Sequence, residues 1–140
     1  MFERILLAVD GSEHALRAVK VAAELARAMK SERIRIVVSF DKIPSYLGEP
    51  NLQQAINVRL VESQKILDEA VGALGDIPSE VHTEMLEGNP AEVIVEAAGT
   101  WNSSVIVMGS RGLGRLAGLL LGSTTQKVVS HAPCPVLIVR

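Results

Sequence analysis

Between Arg4 and Asp10 the chain reads RILLAVD, a nearly continuous apolar run, and then the period of the pattern changes. In GSEHALRAVKVAAELARAMK, Ala15, Ala18, Val19, Ala22, Ala26 and Met29 recur at helical spacing, so a buried strand followed by an amphipathic helix is predicted. Asp10 or Ser12 can cap that helix, with Glu13 as the acid of its first turn. RIRIVVSF, residues 33 to 40, reads as a second strand, closed by the loop DKIPSYLGEP. From Asn51 a stripe of Leu52, Ala55, Ile56, Leu60, Leu67, Ala70, Val71 and Leu74 predicts a long helix ending at Gly75. SEVHTEMLEG sets Val81, Thr83 and Met85 against polar neighbours, as a half-exposed edge strand does. Asn89 as N-cap, Pro90 at the first helical position and Glu92 three after the cap then mark a helix start. SVIVMG is a fourth strand, STTQKVVSHA a fourth helix, and CPVLIV a fifth strand opened by Cys134 after Pro133.

Strands and helices thus alternate throughout, which favours an α/β fold: a doubly wound, five-stranded parallel sheet with helices on both faces and right-handed crossovers. Strands 1 and 4 are the most hydrophobic and belong at the centre, giving the order 3-2-1-4-5. In such sheets ligands bind beyond the carboxyl ends of the strands where the winding reverses. Two loops end there, DGS at 10 to 12 and GSRGLG at 109 to 114.

The length of 140 residues suits a single domain, 1–140. The net charge of -2, without long runs of one sign, gives no basis for a nucleic-acid or anionic-membrane partner. The distribution is uneven, however. No Asp or Glu follows Glu96, while Arg111, Arg115, Lys127 and Arg140 do, so the cationic third of the chain contains the glycine-rich segment. The single cysteine, Cys134, excludes an internal disulfide and fits a reducing compartment, so the expected location is cytoplasmic. No apolar run reaches the roughly 18 residues of a membrane span. Cys134 reads as a packing residue. His14, His82 and His131 have no metal-ligand spacing and suit surface or capping roles.

Gly109-x-x-Gly112, followed after nine residues by Gly122-Ser123-Thr124 at a helix start, has the makings of an anion cradle. Backbone N–H groups of a glycine loop and of a helix N-terminus suit phosphate, with Ser123 and Thr124 as hydroxyl donors and Arg111 and Arg115 as cations. The same residues read equally well as turn and close-packing glycines beside solvated arginines. There is no P-loop lysine and no acid after the glycines to hold a ribose, so neither a P-loop nor a dinucleotide fingerprint fits. Asp10, at the end of strand 1, is either a helix cap or a ligand group for ribose hydroxyls or a nucleotide-bound Mg²⁺.

From ILLAVDGSEHALRAV through VIVMGSRGLGRLAGLLLGSTTQKVVSHAPCPVLIVR, the chain resembles the universal stress proteins. Its Gly-x2-Gly-x9-Gly-Ser/Thr signature is the one associated with their ATP-binding subgroup. The resemblance implies ATP or AMP, with phosphates on Gly109, Ser110, Arg111, Gly112, Gly122, Ser123 and Thr124. It sets Ala8, Val9 and Asp10 beside the adenosine, with Met108 nearby. Where family members often carry His-Val-Val and read adenine through the backbone, this chain has Ser39, Phe40 and Asp41; Ser104 stands where an aspartate usually opens strand 4. The apolar last strand would lie at a sheet edge and needs cover. A homodimer through residues 135 to 140 supplies it, as the resemblance also implies. The function expected is a nucleotide-dependent stress-response or signalling dimer. The alternatives are a slow ATPase or self-phosphorylating enzyme, and a scaffold dimer without nucleotide.

Overall fold

A computed structural model describes residues 1 to 112 and 121 to 140. Its strands are β1 (Arg4–Val9), β2 (Arg33–Phe40), β3 (Glu80–Glu87), β4 (Val105–Gly109) and β5 (Val136–Val139). Between them lie the helices α1 (Glu13–Met29), α2 (Asn51–Leu74), α3 (Pro90–Thr100) and α4 (Ser123–His131), with a short 3-10 turn at Ser45–Leu47. All strand pairs are parallel and the order is β3-β2-β1-β4-β5, as the hydrophobicity of β1 and β4 predicts.

The unbroken apolar runs of the central strands are explained by two cores, one on each face of the sheet. Ile5, Leu7, Val9, Ile34, Ile36, Val38, Val105 and Val107 point to the face covered by α1 and α2. Leu6, Ala8, Val37, Ile106 and Met108 point to the other, against Ala91, Ile94 and Ala98 of α3 and Val128 of α4. The alanines of α1 lie against the sheet: Ala15, Ala18, Ala22, Ala23 and Ala26 are all buried. α2 differs, since its first three turns contain no buried residue and burial starts at Ser63. Among the described residues no helix is long and apolar enough to cross a membrane.

Both edge strands lack fully buried residues, and one begins later than expected. In β3 Val81 and Thr83 are exposed and no residue is fully buried; Met85 and Leu86 are half-covered, one packed against each core, and Glu84 is paired to Arg35 at 2.7 Å, with Arg35 stacked on Trp101. Of the alternating set only Met85 packs against a core, as suits a half-exposed edge strand. β5 begins at Val136 and not at Cys134, because Pro135 has no N–H for the ladder and contributes only its carbonyl, which accepts from Ile106 N–H at 3.0 Å. Ser104 fastens the start of β4 to β1, its hydroxyl accepting from Arg4 N–H and its own N–H donating to the Arg4 carbonyl, both at 2.9 Å.

Candidate functional site

The carboxyl ends of β1 and β4 lie side by side, and the two loops leaving them turn to opposite faces. After β1, Gly11 takes φ +84°, a conformation that lets the chain turn sharply into α1. Both candidate caps are used there. Ser12 Oγ accepts from Ala15 N–H at 3.1 Å as the true cap, while Asp10 Oδ1 accepts from Ser12 N–H at 2.9 Å. The second carboxylate oxygen of Asp10 faces the other loop.

After β4 the glycines serve close approach, since Gly109, Gly112 and Gly122 are not among the glycines with positive φ. A Cβ on Gly109 would lie 2.8 Å from His14 Cβ and 2.9 Å from the His14 backbone carbon. One on Gly112 would meet Asp10 Oδ2 at 2.5 Å, and one on Gly122 would meet Arg111 Cα at 3.3 Å. The start of α4 is tied down by two bonds: Gly122 N–H donates to the Ser110 carbonyl at 2.7 Å and Thr125 Oγ1 donates to the Gly109 carbonyl at 3.0 Å. Thr125 is only 3 % exposed, so Thr125→Val, which strands the Gly109 carbonyl, is expected to cost about 1–2 kcal/mol in urea unfolding.

Between the loops lies a cleft of about 290 Å³. Ala8, Val9, Asp10, Ser39, Met108, Gly109, Arg111, Gly112, Gly122, Ser123 and Thr124 all line it, so the structure brings most of the anticipated residues together. Two are not in its wall. Phe40 ends β2 outside the lining, and Ser110 is 2 % exposed, its backbone committed to Gly122 and to β5. Arg115, Gly114 and Gly118 lie outside the described residues, as does most of LAGLLLG, for which a covering or subunit-contact role was anticipated.

The cleft also contains residues that the sequence left unassigned: Ala15, Pro90, Ile94 and Thr125. Pro90 and Ile94 belong to α3, whose N-terminus reaches the switch point and is capped as predicted, Asn89 Oδ1 accepting from Glu92 N–H at 3.2 Å. Their pairing with the cleft depends on the packing of α3 over β2 and beside α4, for which no local motif exists. His14 is buried beneath Gly109, contrary to the expected surface role. His82 pairs with Glu80 at 2.9 Å, and His131 Nδ1 meets the Lys127 carbonyl at 2.9 Å at the end of α4.

Two features make one end of the cleft suited to an anion. Gly122 caps α4 and has no side chain to offer, so the amides of the first turn have no side-chain cap, unlike those of α1 and α3. Arg111, in the wall, has a buried Nε with no hydrogen-bond partner among the described residues. The rest of the lining includes the apolar Ala8, Pro90, Ile94 and Met108, with Ser39 among them. Among the described residues no three His, Cys, Asp or Glu side chains could hold a metal ion together. Asp10 alone could add an oxygen to a cation held mainly by its ligand.

Cys134 packs half-buried against the α3–α4 core, away from the cleft. Burial raises its thiol pKa, partly offset by a backbone hydrogen bond with Ile106. The stability this contributes is complete below the unfolded thiol's pKa and is lost as pH rises through the folded one. Iodoacetamide at pH 8 is accordingly expected to alkylate the folded chain more slowly than the urea-unfolded chain.

The order β3-β2-β1-β4-β5 with helices on both faces defines the class of doubly wound parallel α/β domains. Within that class, the chain belongs to the universal stress protein family, whose model matches residues 1–140. A universal stress protein of Thermus aquaticus is 48% identical over 140 residues, covering 100% of both chains. The solved structure of the hypothetical protein MJ0577 superimposes with TM-score 0.88 at 29% identity, over 99% of this chain and 96% of that one. The same fold appears in a universal stress protein in complex with cAMP (TM-score 0.72, 24% identity, 99% and 97% covered). It appears again in one from Archaeoglobus fulgidus in complex with dAMP (TM-score 0.71, 23% identity, 100% of each covered).

Proposed function

We propose that this chain is a single cytoplasmic domain that binds an adenine nucleotide, ATP or AMP, in the cleft and acts as a nucleotide-dependent stress-response or signalling homodimer. The observation that carries the reading is a cleft wall that holds both the start of α4, which has no side-chain cap, and Arg111, whose buried Nε has no hydrogen-bond partner among the described residues. Phosphates would take those donors, with the Ser123 and Thr124 hydroxyls beside them. Gly112 leaves room for Asp10, which is placed to hold ribose hydroxyls or to share a Mg²⁺ with the phosphates. The apolar part of the lining accepts the base, with Ser39 as its polar contact. That proteins of this fold hold cAMP and dAMP agrees with the reading. β5 lies at the edge of the sheet with Leu137 37 % exposed, and pairing residues 135 to 140 with a second copy would cover it.

Heat-released ligand from the purified protein, analysed by mass spectrometry, is expected to contain an adenine nucleotide. Added ATP at a hundredfold its Kd is expected to stabilise the fold by about 2.7 kcal/mol, read as a rise in Tm. If no adenine nucleotide is released and the Tm does not move, the reading is wrong. A slow ATPase or self-phosphorylating enzyme has one observation in its favour, that Ser123, Thr124 and Asp10 share the cleft wall. Steady-state phosphate release by wild type and Asp10→Ala separates the two: turnover lost in a variant that still binds ATP makes Asp10 catalytic.

A further inference from the structure

We infer that Ser110 is a positioning residue that ties the phosphate end of the cleft to β5, so that covering β5 with a second copy of this chain tightens nucleotide binding. This rests on the nucleotide reading above and goes beyond it by naming the link and its direction.

Ser110 looks like a ligand residue, a serine between Gly109 and Arg111 in a glycine loop, yet its backbone is spent elsewhere. Its N–H donates to the Val139 carbonyl at 2.7 Å, and its carbonyl accepts from Gly122 N–H at 2.7 Å. Gly122 is the N-cap residue of α4, so its position aims the first-turn amides at the cleft. Two short bonds therefore join the last residue of β5 to the phosphate-facing turn. A second grip reaches the same strand end from the other face, where Arg17 Nε of α1 donates to the Arg140 carbonyl at 3.0 Å. The start of α1, in turn, holds Asp10 through Ser12.

What makes the link consequential is the strand it ends on. β5 has four residues, none of them buried, and among the described residues it pairs on one side only, with β4. Its order depends on what covers its outer edge. When that edge is paired, the Val139 carbonyl is fixed, and Ser110 and Gly122 are fixed with it, so the amides are preorganised and less ordering cost falls on the ligand. A nucleotide that immobilises the first turn of α4 acts along the same bonds in reverse. The two effects must be equal, because coupling between two binding equilibria is reciprocal.

The test measures dimer dissociation by sedimentation equilibrium with and without saturating ATP, and ATP affinity by calorimetry in wild type and in Leu137→Lys, which puts a charge on the exposed face of β5. ATP is expected to lower the dimer Kd by at least about fivefold, with ATP binding more weakly to monomeric Leu137→Lys by a similar factor. Equal ATP affinity in dimer and monomer, or a wild type that stays monomeric at all concentrations, overturns the inference and leaves the cleft reading intact. Absence of ATP binding to either form fails both. Ser110→Ala keeps both backbone bonds, so the coupling between ATP and the dimer is expected to persist in it. Loss of the coupling in a Ser110→Ala protein that still binds ATP and still dimerises overturns the backbone link.

Discussion

Gly109→Ala is expected to destabilise the fold by about 1–3 kcal/mol, the range for forcing a methyl into a filled interior. The glycine sits where β4 passes under the start of α1, and the nearest neighbours of the new Cβ are His14 Cβ at 2.8 Å and the His14 backbone carbon at 2.9 Å. A flexible side-chain tip could turn aside, but backbone cannot. α1 would have to lift from β4, and its lift would drag the Asp10–Ser12 turn with it. Urea unfolding checks the cost. Gly99→Ala in α3 is the control, because no atom lies within 4 Å of its Cβ; there the higher helix propensity of alanine should stabilise by up to about 1 kcal/mol. Equal effects at the two positions would show that the approach of β4 to α1 is not tight.

Arg111→Ala is expected to weaken ATP binding by about 10- to 100-fold, the equivalent of roughly 1.5–3 kcal/mol for a hydrogen bond to a charged group. Among the described residues the buried Nε has no partner to lose, so the substitution removes a donor without stranding an acceptor there, and the Tm of the unliganded protein should change little. Titration calorimetry with ATP and AMP gives the readout, and the loss should be larger for ATP because more phosphate charge lies near the guanidinium. Unchanged affinity for both would mean that Arg111 faces the cleft without touching the ligand.

How the sequence encodes this arrangement differs from part to part. The central strands were legible because burial on two faces leaves an apolar residue at almost every position of β1 and β4, and that alone set the strand order. The start of α3 was legible from Asn89, Pro90 and Glu92, a pattern whose physics is local. β3 was legible as a half-exposed edge strand, though of Val81, Thr83 and Met85 only Met85 packs against the core, because the position at the edge leaves the first two open to solvent. In the cleft, residues at the ends of β1 and β4 followed from the switch-point rule. Ser110 and His14 did not, because a serine in a glycine loop and a histidine in a helix reveal their burial only once β5 and β4 are in place. Pro90, Ile94 and Thr125 were hidden for a related reason: their local roles, helix start, helix core and helix first turn, gave no hint of a shared cavity.

The wall of the cleft draws on residues from Ala8 to Thr125, taken from both ends of the chain and both faces of the sheet. A molecule lodged there bridges stretches separated by on the order of a hundred residues, and so acts as a removable cross-link against the entropy of a long open loop. Occupancy would then be felt as slower hydrogen exchange at the centre of the sheet, in β1 and β4 together, rather than as a local quieting of one loop.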